Sequence, residues 1–473
     1  MIYHIACKEV LRNLLSLRFT LSLLLTTCLF VVCGYVFMIG YQGQSKDYWE
    51  KTNNNLSSLR EQSSALYQIA FYKQGIYRKP RPLGLCAEGF EKSLPNFFEV
   101  DAFIADLPKT KGQANFALPQ FSNIDWGLIV SLILSFAALV FTYDSICGEK
   151  EAGTLRLTLA NTIPRHQILL GKYVGTMITL AIPLFVGMLV SLIVIVPSKD
   201  IAISGDEWLK IMAIILVSLL YLSIFVMLGL FISGRTGHSA NSMAILLLLW
   251  IVSVILLPSF CRIIFDISYK EPTQAELQSR LEEAGKQIWD NREKYGENAG
   301  NWNSDVNNPI NNPPARARLQ NAMMSAKNQV REDHHNKLLA QAFARRNLAC
   351  ISPAVIYQRA TETIAGTGIN RCVHLYKQVN QYRADLKEFI RSKDAEDPES
   401  LHLINPERST VQGTWKAISK KPVDFGTVPK FQEQDLALGQ SLKLAIWDIG
   451  LLILFNMVFF AAAFVSFLRY DVR

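Results

Sequence analysis

Residues 149–155 read Glu149, Lys150, Glu151, Ala152, Gly153, Thr154 and Leu155: two carboxylates around a lysine, then a glycine that permits a turn, then the start of a short amphipathic piece. Leu157 and Leu159 continue the apolar side before Pro164, Arg165 and the run Leu169, Leu170, Gly171 and Lys172. Apolar stretches flank this island on both sides. A run with this much charge cannot lie in hydrocarbon, so it belongs at a membrane surface. The chemistry it offers is docking. Glu149 and Glu151 pair with basic groups of a partner or orient the helix, Gly153 turns the chain, and Thr154 and Leu155 insert into a groove. Arg165 and Lys172 hold the other end by ionic contact. The plainer alternative is a solvated loop whose charges only enforce topology.

Other chemistry is absent. No Gly-x-x-x-x-Gly-Lys-Ser/Thr loop occurs, so the chain has no means of cradling ATP phosphates and its energy must come from another subunit. His334 and His335 are adjacent, point to different helix faces and have no third ligand at metal-site spacing, which reads as an exposed polar face. No HExxH, CxxC pair or Ser/His/Asp constellation supports an enzyme. Asp144, Asp448 and Asn456 are polar groups in or near apolar runs, where polarity is costly unless satisfied. The two aspartates lie close enough to run ends for interfacial solvation, whereas Asn456 falls mid-run and reads as an interhelical contact.

Half of the 473 residues are hydrophobic and only 19% are charged, with a mean hydropathy of +0.17. The apolar residues are clustered. About 20 residues suffice to cross about 30 Å of hydrocarbon, and six runs meet that length: 19–39, 126–146, 173–196, 211–232, 243–265 and 444–468. Six crossings put both termini on one side. Lys8, Arg12, Arg18, Lys150, Arg156, Arg165, Lys172, Arg235, Arg469 and Arg473 all flank the same side, which the positive-inside bias makes cytoplasmic. On this reading 1–18 is a cytoplasmic interfacial helix, 147–172 and 233–242 are cytoplasmic, and 469–473 is a cytoplasmic tail. Residues 40–125, the short loop 197–210 and residues 266–443 lie outside. The net charge of +8 reads as topology bias and contact with anionic lipid, not nucleic-acid binding.

The larger outer segment, 266–443, is helical by pattern. Thr273 and Glu276 form a capping box ahead of Leu277, Leu281, Ala284 and Ile288. A second long helix, about 315–347, places Leu319, Met323, Ala326 and Val330 to pack against the first as a hairpin. Ser352 and Pro353 mark the start of an apolar helix and Gly366 its stop, placed at the outer surface. Residues 370–392 carry a stripe of Val373, Tyr376, Val379, Tyr382, Leu386 and Phe389. Of eight cysteines, Cys86, Cys350 and Cys372 fall outside, where an oxidising compartment allows one pair. The layout favours Cys350 with Cys372, with Cys86 as the competing partner.

The stretch Glu149–Leu155, followed by Pro164, Arg165 and Leu170, Gly171, Lys172, resembles the segment after the second span in permease subunits of the ABC-2 transporter family. Ser352, Pro353 and Ala354 with Ala365–Gly368, the pair Trp447 and Asp448, and Arg469–Arg473 resemble a subgroup with large outer insertions, related to gliding-motility-type permeases. The resemblance implies an all-α polytopic protein of six transmembrane helices in ABC-2 (type V exporter-like) architecture, with a mainly helical extracytoplasmic domain. It further implies an ABC ATPase subunit that binds ATP and Mg, engaged through 147–172, no cofactor on this chain, and a second permease in a homo- or heterodimer. The implied function is export across a bacterial inner membrane. A transmembrane signal or force transmitter acting on an envelope partner is the alternative.

Overall fold

The computed structural model describes residues 2–89, 95–104, 106–109, 124–155, 164–195, 198, 201–269, 272–301, 308, 310–407 and 417–468. Arg156, Leu157, Leu159, Lys199, Arg469 and Arg473 lie outside them. The chain opens with helix α1 (Ile2–Leu14), which buries Ala6, Glu9 and Asn13 and leaves Tyr3 and Leu11 exposed. Its polar stripe therefore faces protein. Ser16 caps the next helix, accepting the Phe19 N–H, and α2 runs unbroken over Leu17–Gln62. At 1.5 Å per residue its 46 residues extend about 69 Å, more than twice the hydrocarbon thickness. One rod is thus long enough to cross a membrane and extend well beyond it.

Among the described residues six helices are long and apolar enough to span a membrane: α2, α4 (Trp126–Glu151), α5 (Arg165–Ile195), α6 (Gly205–Arg235), α7 (Ser239–Ser268) and α12 (Leu438–Leu468). All six expected crossings are present. Two are interrupted by π-helical turns, at Ile129–Leu134 and Ile251–Leu256. α6 is the most enclosed, with two-thirds of its apolar window buried. α1 lies on α5 because Gly171 and Gly175 remove the side chains that would hold it off: a Cβ at either would come within 2.7 Å of Ile5 or Glu9.

Outside the spans come α3 (Leu66–Phe71) and an antiparallel pair the pattern did not reveal, β1 (Gln74–Tyr77) with β2 (Phe97–Val100), in the register Gln74 to Val100. α8 (Gln274–Asp290) and α9 (Pro313–Leu348) form the expected hairpin, and the Thr273 hydroxyl accepts the Glu276 N–H. α10 (Pro353–Ala365) begins at Ser352 and ends at Gly366, whose φ of 71° is the left-handed conformation glycine adopts without cost. α11 (Ile369–Ala395) follows.

The placing of α10 corrects the expectation of a surface helix. Ile356, Tyr357, Ala360 and Ile364 are wholly buried in the same apolar cluster as the spans, and α10 packs on α6 and α12. Tyr357 stacks on Tyr221 at 4.5 Å and shares a 2.8 Å hydrogen bond with Ser218. Ser352 Oγ donates to the Ser253 carbonyl of α7 at 2.6 Å. The helix fills the outer part of the bundle because its apolar stripe wraps more than one face, so no single surface satisfies it.

His334 and His335 are also corrected. Both are buried, at 2% and 4% exposure, and the His335 ring lies 3.9 Å from that of Tyr376. Adjacent positions on α9 point to opposite faces, and here each face meets a helix. Asp448 is not solvated either: it is 3% exposed and lies 3.1 Å from Arg359 of α10. Asp144 pairs with Arg18 at 2.8 Å. Cys350 and Cys372 are free thiols. Cys350 Sγ accepts from Arg359 of α10 at 2.6 Å, and Cys372 is buried on α11.

Candidate functional site: the segment between the second and third spans

The segment is built on the last turn of α4. The Ile146 and Cys147 amides both donate to Ser233 Oγ of α6 at 3.0 Å, which pins the segment to the neighbouring span. From there Glu149, Lys150 and Glu151 reach three different elements. Glu149 Oε1 accepts from Lys172 Nζ of α5 at 2.7 Å. Lys150 Nζ donates to the Gly234 carbonyl, and to that of Thr236 at 3.1 Å. Glu151 accepts from the Ser239 amide at 2.9 Å and its hydroxyl at 2.5 Å, at the start of α7, with His238 Nδ1 3.3 Å away.

Lys172 is the hub. Its side chain is 3% exposed, it donates to the Ser145 carbonyl at 2.8 Å, and Glu9 of α1 lies 3.8 Å away. Ser145 Oγ donates to Glu9 at 3.0 Å, and Arg12 adds a 2.6 Å ion pair. Two carboxylates thus converge on one buried ammonium. Such a set holds only while every member is present, because an unpaired charge in a buried site is costly. Glu9 is the functional residue the sequence reading did not single out. Its position among apolar residues of an amphipathic helix looked like the wet side, and only the Gly171 and Gly175 gap shows that this side faces protein.

The expected docking residues therefore divide. Glu149, Lys172, Arg165 and Leu155 are engaged by groups of this chain, Lys172 and Leu155 from buried positions and Glu149 and Arg165 from partly exposed ones. Arg165 donates to the Leu468 carbonyl at 2.7 Å, tying the start of α5 to the end of α12. Leu155 is 1% exposed and belongs to the apolar cluster of the spans. What faces outward is Glu151, Ala152, Gly153 and Thr154. Gly153 has φ of +71° with open space around it, so the turn expected there exists and its outer side is clear. The arrangement is a small exposed turn on a rigid base.

Within the bundle, Asn456 Nδ2 donates to the carbonyls of Leu220 on α6 and Leu452 on its own helix, each at 2.9 Å. The expected interhelical contact is thus made.

The family model for ABC-2 family transporter proteins matches residues 3–472, almost the whole chain. The chain belongs to the ABC-2 transporter family. It is similar to a probable ABC transporter permease protein NosY of Pseudomonas aeruginosa, 29% identical over 148 residues, which cover 31% of this chain and 53% of that one. The same-named protein of Stutzerimonas stutzeri is 26% identical over 144 residues, covering 30% and 52%. The chain thus spans about half the length of the curated relatives it matches. As an ABC-2 permease it is a multi-pass membrane subunit of an ABC transporter.

Proposed function

We propose that this permease couples a separate ABC ATPase, which binds ATP and Mg, to export across a bacterial inner membrane, with both termini cytoplasmic and a second permease completing the complex. The observation that carries the reading is the exposed turn Glu151–Thr154 on its base of buried ion pairs: a push on the turn is passed to α4, α5, α6 and α7 instead of being absorbed. The test is a bulky residue on the turn that leaves the base alone. Ala152→Trp should reduce co-purification of the ATPase, or its activity in the complex, at unchanged permease levels in the membrane. Unchanged association and activity would remove the turn from the coupling role. Impermeant thiol labelling of Ser57→Cys but not Gly237→Cys in intact cells, with all native cysteines replaced, tests the orientation.

The second reading, transmission of force to an envelope partner, is favoured by α10. Tyr357 and Ser352 anchor the outer domain inside the bundle, and Arg359 ties it to Asp448 of α12. A domain anchored in this way moves when the spans move. Stimulation of the complex's ATPase by a transported compound supports export, whereas nucleotide-dependent change in the outer domain without any such stimulation supports transmission.

A further inference from the structure

Two cysteines that the sequence leaves far apart, both free thiols in this structure, are brought into one buried cluster by the packing of α2 against the turn Pro82–Leu85. Phe30, Cys33, Gly34 and Phe37 occupy one side of α2 at helical spacing. Phe30 lies edge-on to Trp126 at the start of α4, with 6.1 Å between ring centroids, and Phe37 closes over Gly84, where a Cβ would sit 3.1 Å from its ring. Cys33 lies between them. On the opposing side Cys86 follows Gly84 by two residues, and its carbonyl accepts the Gly127 N–H at 3.0 Å, next to Trp126. Cys86 is therefore held between the two points that bracket Cys33. Both thiols are fully buried, at 0% and 1% exposure, in one apolar cluster.

We propose that Cys33 and Cys86 are an oxidisable pair, and that their disulfide staples the outer turn 82–89 to the first span. The step is balanced simply. Two S–H bonds break and one S–S bond forms, while two protons and two electrons pass to a protein disulfide of the outer compartment, which becomes two thiols. Both sulfurs are shut away from any oxidant in the folded protein, so oxidation belongs to assembly, before the turn closes on α2. The consequence is local: because the Cys86 carbonyl already holds Gly127, the bridge joins the outer ends of the first and second spans. Neither Cys350 nor Cys372 competes, since α10 and α11 hold them in other contacts.

The test uses the full chain in its native membrane. The protein is denatured without reductant in the presence of N-ethylmaleimide, digested and examined by mass spectrometry, before and after treatment of the native membranes with diamide. The expected result is a peptide pair containing Cys33 and Cys86, two hydrogens lighter than the sum of its parts and separated by reductant, present as isolated or after diamide. Cys33→Ser and Cys86→Ser should each abolish it without a new bridge. The diamide arm does not depend on which side of the membrane the turn occupies, so it separates failure of the pair from failure of the assigned orientation. Both residues alkylated after diamide, or either one bridged to a different cysteine, overturns the pairing.

Discussion

Replacing Lys172 by methionine removes one charge and keeps most of the side-chain volume, so its effect measures the buried ion set and not a cavity. In the folded chain that ammonium lies 2.7 Å from Glu149, 2.8 Å from the Ser145 carbonyl and 3.8 Å from Glu9, with almost no exposure of its own. Arg12 remains for Glu9, but Glu149 loses its ion-pair partner while 20% exposed, and one of its oxygens already lacks a hydrogen bond. Removing one partner of a buried pair costs about 3–5 kcal/mol. The partial exposure of Glu149 moves the expectation to the lower end, about 3 kcal/mol. Neutralising the orphan should return part of this, so Lys172→Met with Glu149→Gln should be more stable than Lys172→Met alone. The assay is denaturant unfolding of the purified permease in mixed micelles, as a four-member cycle including Glu149→Gln. A single variant within about 1 kcal/mol of the parent, or a double variant no better than the single, refutes the buried hub.

The remaining expectations are these. Leu155→Ala should destabilise the permease itself by about 2–5 kcal/mol, as for other buried leucines, lowering its folded yield even without any ATPase; unchanged unfolding would return Leu155 to the exposed surface. Gly175→Val should displace α1 from α5, seen as protease access to α1, and retained protection would contradict the close approach at Glu9. In the outer domain, burial first and then the neighbouring His334 push His335 down to about 4. Its unfolded form takes up a proton at the ordinary imidazole value, so this contribution is complete above about 6.5 and is lost as pH falls toward 4. Burial opposes ionisation of Glu433, but Arg371 and Arg81 outweigh it and hold its carboxyl at about 2, so its contribution is lost from about 4.5 downward. His335→Phe should therefore flatten the stability profile between pH 6.5 and 4 and leave the loss below 4.5 in place.

The spans were legible because each needs only one property, an apolar run of sufficient length, which a single stretch of chain displays. The ends of α10 were legible for a related reason: Ser352, Pro353 and Gly366 act on the backbone within one turn of themselves. What sequence could not give was the destination of each face. β1 and β2 are four residues each, and their pairing joins Gln74 to Val100 across a long connection, so neither strand carries the signal alone. His334 and His335 read as an exposed face and Asp448 as solvated because their types prefer water, and Glu9 carries no signal of its own. Each is dry because a particular neighbour arrives from elsewhere: α8 and α11 around the histidines, Arg359 beside Asp448, and Lys172 beside Glu9. The docking segment shows the same division. Its turn was readable from Gly153, whereas the commitment of Glu149, Lys172 and Leu155 to the chain's own interior depended on three other helices.

These commitments converge on one helix. Ser233 and the Gly234 carbonyl, at the inner end of α6, hold Ile146, Cys147 and Lys150; Ser218 and Tyr221, about 18–24 Å along the same helix at 1.5 Å per residue, hold Tyr357 of α10. Within the second of these points the Leu220 carbonyl receives Asn456 of α12, and α12 in turn carries Asp448, the partner of Arg359 on α10. α6 is also the span with the largest buried share, so it has little freedom to bend and absorb a displacement. The same helix thus carries the contacts of the turn at one end and those of α10 near its middle, within Gly205–Arg235. If the turn is the coupling element proposed above, a shift imposed on it reaches α10 along α6 and, through Asn456 and Asp448, by way of α12.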